Sequence, residues 1–188
     1  MTNGYTACLK TTVARRIADE LEVPLIEAYR LGKVVTSSGV VSNEKRDARY
    51  KIIAEITKIY LQNGIPVVID ATFNFRRWRE YIYEITKQYP VSDTVIVKCF
   101  CHDVALIQKR LTARQANSLF PDQEVTNIAN YFKTVQENEI VEADILPDGR
   151  MPAIVEFDSG AFVAKVMCAQ TNLAKQVVEI IQHIKNEV

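Results

Sequence analysis

The sequence predicts a three-layer α/β fold with a mostly parallel sheet, and three observations predict it. Short apolar runs alternate with amphipathic segments along the whole chain. A loop bearing glycine and lysine opens onto the first amphipathic segment. One apolar run, Val67-Val68-Ile69, ends abruptly in the carboxylate of Asp70. Strands separated by helices are joined by crossovers that cover both faces of a parallel sheet.

The elements follow in order. Val13, Ile17 and Leu21 recur at helical spacing among charged residues, which predicts a helix over 11–21. Residues 23–26 form a short strand and 34–41, with Ser37, Ser38 and Gly39, a loop. A long helix spans 43–62 and stops at Asn63-Gly64. Residues 65–69 are continuous and β-branched, the pattern of a buried strand. A helix over 76–89 ends at Pro90. Then come a strand at 94–100, a helix at 104–114, a polar segment around Pro121-Asp122, and a helix at 125–143. A turn at 147–152 leads to a last strand at 153–157 and a last helix at 172–185. The expected sheet has five strands, with its first strand truncated because only Met1, Thr2 and Asn3 precede Gly4. Either a trimmed start or a sheet without its usual middle strand accounts for that.

Composition narrows the functions. The 188 residues suit one domain, 1–188, with a proper core. Basic and acidic side chains balance at 23 each, which argues against a protein built for long nucleic acids or anionic membranes. No apolar run is long enough to span a bilayer, and no signal peptide is evident. The four cysteines, Cys8, Cys99, Cys101 and Cys168, are too sparse for a disulfide scaffold, so a reduced, cytoplasmic protein is expected. Cys99-Phe100-Cys101-His102 reads as an alternating strand end, because a soft-metal site needs more ligands in reach. Ile180, Ile181 and Ile184 form a buried stripe. Tyr81, Tyr83 and Ile85 pack a helix on the sheet, with Trp78 at its rim.

The start, Gly4-Tyr5-Thr6-Ala7-Cys8-Leu9-Lys10-Thr11-Thr12, is one residue short of the phosphate-binding pattern G-x-x-x-x-G-K-[ST]. Gly4, Lys10 and Thr11 stand where that pattern wants them, and Leu9 replaces its second glycine. In such loops, backbone N–H groups wrap the phosphates and the following helix points its positive end at them. Lys10 bridges the outer phosphates and the Thr11 hydroxyl binds Mg2+. If position 9 needs positive φ, leucine costs roughly 1–2 kcal/mol there. Asp70, at the carboxyl end of its strand, has the Walker B placement beside the metal; the alternative is a cap on the following turn. Arg110 and Arg114, four apart, share one helix face and suit a polyanion. The segment after them, about 114–125, fits a lid.

The order of these motifs, with Val23-Pro24-Leu25-Ile26-Glu27 and Phe157-Asp158-Ser159-Gly160, resembles the AAA-33 family of P-loop kinases. That group is similar to the zeta-toxin, gluconate-kinase and polynucleotide-kinase phosphotransferases. The resemblance covers nearly the whole chain and implies a nucleoside-kinase-like P-loop NTPase using ATP and Mg2+. It implies a nucleotide cradle of Gly4, Thr6, Ala7, Cys8, Leu9, Lys10, Thr11 and Thr12, and Mg2+ at Thr11 and Asp70. Arg110 and Arg114 become lid arginines that stabilise charge during transfer. The adenine is expected near Asp158 to Gly160. Arg46, Arg49, Arg76, Arg77 and Arg79 are expected either to line an acceptor pocket or to be ordinary helix surface. Many relatives carry Ser/Thr-x-Asp after the second strand, with that aspartate as base. Here Tyr29 stands roughly at its place, and Glu27 is the nearest carboxylate, either a base or an exposed loop charge.

Three functions follow. The first is transfer of the ATP γ-phosphoryl to a hydroxyl of a small molecule or nucleoside. The second is 5′-hydroxyl phosphorylation of a polynucleotide end, which the charge balance disfavours. The third is an inactive module that binds nucleotide weakly or binds a partner protein, as Leu9, Tyr29 and the short first strand suggest.

Overall fold

The computed structural model describes residues 1–5, 7–35, 43–89, 93–116, 128–136, 144–168 and 171–186. Its strands are β1 (Thr2–Gly4), β2 (Leu25–Glu27), β3 (Val68–Asp70), β4 (Val95–Phe100), β5 (Ala153–Asp158) and β6 (Val163–Cys168). The helices are α1 (Lys10–Glu20), α2 (Ala28–Val35), α3 (Asn43–Gln62), α4 (Arg76–Thr86), α5 (Val104–Ala116), α6 (Ile128–Gln136) and α7 (Asn172–Gln182). The strands form one sheet in the order β2-β3-β1-β4-β5-β6, parallel except for β6, which is antiparallel to β5.

The sheet therefore has six strands rather than the expected five. β6 is missed because it returns antiparallel from β5 with no helix between, outside the strand–helix alternation from which the sheet is read; as an edge strand it leaves Val163, Lys165 and Met167 exposed. The middle strand is present. β1 lies between β3 and β4, in register through Thr2↔Asp70 and Thr2↔Val97. Three residues suffice there because both neighbours hold them.

Alternation along the strands builds two cores. Val68, Val95, Val97, Cys99, Val155 and Phe157 face α1, α5 and α7. Ile26, Ile69, Ala71 and Phe73 face α3 and α4 through Tyr50, Ile53, Trp78 and Ile82. This period of two assigns each strand-end residue to a face.

Several boundaries move. The expected loop at 34–41 gives way to α2 through Val35, and residues 36–42 lie outside the description. The third strand begins at Val68, because Ile65 is exposed beyond the helix-ending Asn63-Gly64 and Pro66 follows it. Helix α6 is described only over Ile128–Gln136, with 137–143 outside the description. Trp78 is not at a rim: it is 2% exposed and stacks on Tyr50, centroids 4.3 Å apart. Ile180, Ile181 and Ile184 are buried, as read from their spacing.

Candidate active site

The carboxyl ends of β1, β2 and β3 carry the chemistry. Gly4 closes β1 at φ +131, and a Cβ built there sits 2.0 Å from the Cys99 carbonyl oxygen. Only glycine fits that approach to β4. Ala7 and Leu9 then take left-handed backbone, φ 66 and φ 58. Position 9 thus has the conformation a glycine adopts without cost, and leucine occupies it as the residue entering α1. No side chain caps α1, so its first N–H groups point toward the loop.

Asp70 ends β3 with its carboxylate divided. Oδ2 accepts from Thr11 Oγ1 at 2.6 Å, and Oδ1 accepts from Thr2 Oγ1 at 3.0 Å. Glu27 ends β2 in register with Asp70. It is not the exposed loop charge of the alternative reading. Its side chain is 8% exposed, accepts from Arg15 (Nη2–Oε1 2.7 Å) and pairs with Arg30 through Oε2. Thr11 and Arg15 lie one turn apart on α1, so one helix face addresses both strand-end carboxylates. Tyr29 lies in α2, half-buried.

Two cations hold the loop's carbonyls. Lys10 Nζ donates to Tyr5 O at 2.6 Å. Arg110 donates from Nη1 to Ala7 O (3.0 Å) and Ser159 Oγ (2.9 Å), and from Nη2 to Ser159 O (3.0 Å). Arg110 thereby ties the loop to the turn after β5, whose Asp158 Oδ1 accepts from Gly160 N at 2.8 Å. Cys8 Sγ lies 3.8 Å from Tyr131 Oη of α6. Burial pushes both the Cys8 and the Cys99 thiols up, so they are neutral sulfhydryls and not thiolates. Thr12 is exposed on the first turn of α1. Thr6 lies outside the described residues, as do the Arg114 side chain and the lid segment from residue 117 to 125.

Of the three arginines of α4, Arg79 departs from both expected placements, pocket lining and helix surface. Arg79 is fully buried. It pairs with Asp144 (Nε–Oδ2 2.5 Å, Nη2–Oδ1 3.0 Å) and donates from Nη1 to Phe73 O at 2.7 Å. It braces the segment after Asp70 rather than lining an acceptor pocket. Arg76 pairs with Glu80 and Arg77 with Asp47, both at the surface. Arg49 lies over the Tyr50 ring at 5.6 Å and packs against Gly32 of α2. Arg46 is half-buried on α3.

Spacing alone did not reveal Tyr50, Asn3 or Ser159. Tyr50 Oη meets Thr72 Oγ1 at 3.0 Å and accepts from Phe73 N at 3.1 Å. Asn3 Nδ2 donates to Thr72 O and Phe73 O. Both fix the chain just beyond Asp70. Tyr50 is at core spacing with Ile53 and Ala54, so its hydroxyl left no separate signal in the sequence.

Chemically, a strand–loop–helix with an uncapped helix start fits a polyanion. A hydroxyl and a carboxylate converging at its edge are hard oxygen donors of the kind Mg2+ takes. Comparison with known proteins agrees on the fold. The AAA-33 family model, described as AAA domain, matches residues 1–135. No curated protein matches the sequence. Among solved structures, a sugar kinase from Janibacter sp. HTCC2649 aligns at 15% identity, covering 98% of this chain and 90% of that one, TM-score 0.58. Kti12 from Chaetomium thermophilum, solved with ADP-AlF3, aligns at 16% over 98% and 96%, TM-score 0.58. An APS kinase from Mycobacterium tuberculosis, solved with AMPPNP and APS, aligns at 10% over 98% and 95%, TM-score 0.58. These identities speak for the fold alone, a P-loop kinase-like NTPase. With its loop, its strand-end carboxylate and a family match over most of its length, the chain belongs to the AAA-33 (AAA domain) family.

Proposed function

We propose that the protein is an ATP-dependent phosphotransferase that moves the γ-phosphoryl of ATP to a hydroxyl of a small molecule or nucleoside. The 2.6 Å pair between Thr11 Oγ1 and Asp70 Oδ2 carries this reading. It joins the loop hydroxyl and the strand-end carboxylate at one point, where Mg2+ would be held. The ion supplies charge neutralisation on the transferring phosphoryl. Lys10 exchanges the Tyr5 carbonyl for phosphate oxygens, and the first N–H groups of α1 hold the same anion. Glu27, beside Asp70 and paired with Arg15 and Arg30, orients the acceptor hydroxyl and takes its proton. Arg114 and the lid close over the phosphates and exclude water. The nucleotide base sits near Asp158 to Gly160.

A second reading has an observation of its own. Leu9 at φ 58, with Lys10 bonded to the loop's own carbonyl, also suits a module that binds nucleotide weakly or not at all. Thermal unfolding with and without Mg-ATP, for the parent and Lys10→Ala, separates the two. Ligand bound only to the folded state raises the Tm. A rise in the parent that Lys10→Ala abolishes supports the kinase, and an acceptor screen by ADP release follows. No rise in the parent supports the inactive module.

A further inference from the structure

At the carboxyl end of β2, two cations gather on one carboxylate. Glu27 Oε1 accepts twice from Arg15, from Nε at 2.9 Å and from Nη2 at 2.7 Å, and Oε2 pairs with Arg30. The three side chains come from three consecutive elements, α1, β2 and α2. The Glu27 side chain is 8% exposed, whereas those of Arg15 and Arg30 are 54% and 76% exposed. Ion pairs so open to water add little to stability, so folding does not account for the arrangement.

The arrangement suits an oxyanion. Two guanidiniums against one carboxylate leave an excess of positive charge. Each guanidinium has more N–H donors than Glu27 takes, and both side chains are open to solvent. The buried carboxylate anchors both forks, so less rotamer freedom is lost when an anion docks on them. Glu27 is in register with Asp70, which sets the forks at the same end of the sheet as the phosphate loop. An ordinary surface pair looks different: Arg76 meets Glu80 one cation to one carboxylate, each about half exposed.

We propose that Arg15 and Arg30 seat an anionic group of the acceptor, a carboxylate or a phosphate, while the acceptor hydroxyl lies against Glu27. This rests on the kinase reading and narrows it: the acceptor is a small hydroxylated anion, and a neutral nucleoside is not. The anion and the hydroxyl are close neighbours on that molecule, because they meet through the same Glu27 carboxylate, a few charge-assisted hydrogen bonds of about 2.8 Å apart. A short hydroxy acid or a small polyol phosphate has that spacing. A neutral acceptor leaves both forks without a partner of its own, which is the source of the discrimination.

Arginine Nε–H NMR spectra of the nucleotide-free protein test it at constant ionic strength, with glycerate, glycerol phosphate or neutral glycerol as the probe. The Arg15 and Arg30 signals, assigned by their loss in Arg15→Gln and Arg30→Gln, are expected to move with both anions and not with glycerol. Either substitution is expected to weaken anion binding about tenfold, read from the arginine signal that remains. Lys10→Ala is expected to leave that binding unchanged. Signals that move equally with glycerol overturn the proposal. So do signals that stop moving in Lys10→Ala, since the anion then sits on the phosphate loop. Unmoved arginines beside a Tm rise with Mg-ATP overturn it and leave the kinase reading standing. Moved arginines without that rise uphold the anion seat and remove the kinase reading.

Discussion

Thr11 Oγ1 donates to Asp70 Oδ2 across 2.6 Å, while Thr2 Oγ1 donates to the other oxygen of the same carboxylate. One side chain thus closes the loop helix α1 onto both β3 and β1. Asp70→Asn replaces one acceptor oxygen with an amide that faces a hydroxyl. The ligand-free protein is expected to lose about 1–3 kcal/mol in urea unfolding. The Mg-ATP stabilisation, about 2.7 kcal/mol at a hundredfold excess over Kd, is expected to vanish. A variant that keeps the full Mg-ATP shift would remove Asp70 from the metal site.

Leu9 holds φ 58, a conformation glycine takes freely, and also packs against the core around α1. Leu9→Gly relieves roughly 1–2 kcal/mol of backbone strain. It gives up some burial and about 0.5–1 kcal/mol of chain entropy. Ligand-free stability is therefore expected to stay within about 1 kcal/mol of the parent, while the Mg-ATP shift grows. A ligand-free loss above about 3 kcal/mol would mark Leu9 as a core residue whose packing outweighs the strain.

The phosphate loop, the strand-end carboxylate and the parallel sheet were legible because each depends on residue type at fixed spacing. Gly4, Lys10, Thr11 and Asp70 are read directly from the chain, and the structure brings them together at the ends of β1 and β3. Arg79 was not legible. On α4 it looks like its surface neighbours Arg76 and Arg77, and only its partner Asp144, 65 positions away, makes it a buried ion. Glu27 was legible as a carboxylate at a strand end. Its anchoring depends on Arg15 from another element, which no local pattern encodes. The edge strand β6 escaped because it returns from β5 with no helix between, outside the strand–helix alternation from which the sheet is read.

Arg79 and Asp144 are both 0% exposed, and Tyr83 Oη also donates to Asp144 at 2.7 Å. Arg79→Met leaves a buried carboxylate without its cation, and about 3–5 kcal/mol of stability is expected to be lost. Arg79→Met with Asp144→Leu is expected to recover part of that, since the charge leaves but the Phe73 carbonyl and the Tyr83 hydroxyl lose partners. Urea denaturation of the double-mutant cycle measures the coupling. Additive losses would show that the two side chains do not act as a pair.

The Met1 amine is buried against Val95 O, and desolvation lowers its pKa from 8.0 to about 5, with Cys99 pulling weakly the other way. Between pH 5 and 8 the unfolded amine carries a proton that the folded one does not. The unfolded state binds more protons, so stability rises with pH across that window. Urea midpoints are expected to climb from pH 5 to 8. The same chain acetylated at the Met1 nitrogen, with no titrating amine at that place, is expected to lack this increment. Identical profiles for the two chains would show that the amine is solvated in the folded protein.

Arg110 reaches the loop through Ala7 O and the turn after β5 through both oxygens of Ser159, which is itself fully buried. A guanidinium spans these acceptors with a fixed fork, and an ammonium has no such fork. Ala7 holds φ 66, so its carbonyl direction depends on what it is bonded to. Arg110→Lys is therefore expected to loosen the loop and weaken ADP binding about tenfold by calorimetric titration. Ser159→Ala, which removes one of the three contacts, is expected to weaken it less. Once an acceptor is known, both variants are expected to raise KM for ATP with kcat largely kept, the signature of a positioning role. A fall in kcat with ADP affinity unchanged would instead place Arg110 on the transferring phosphoryl, as the family resemblance implies.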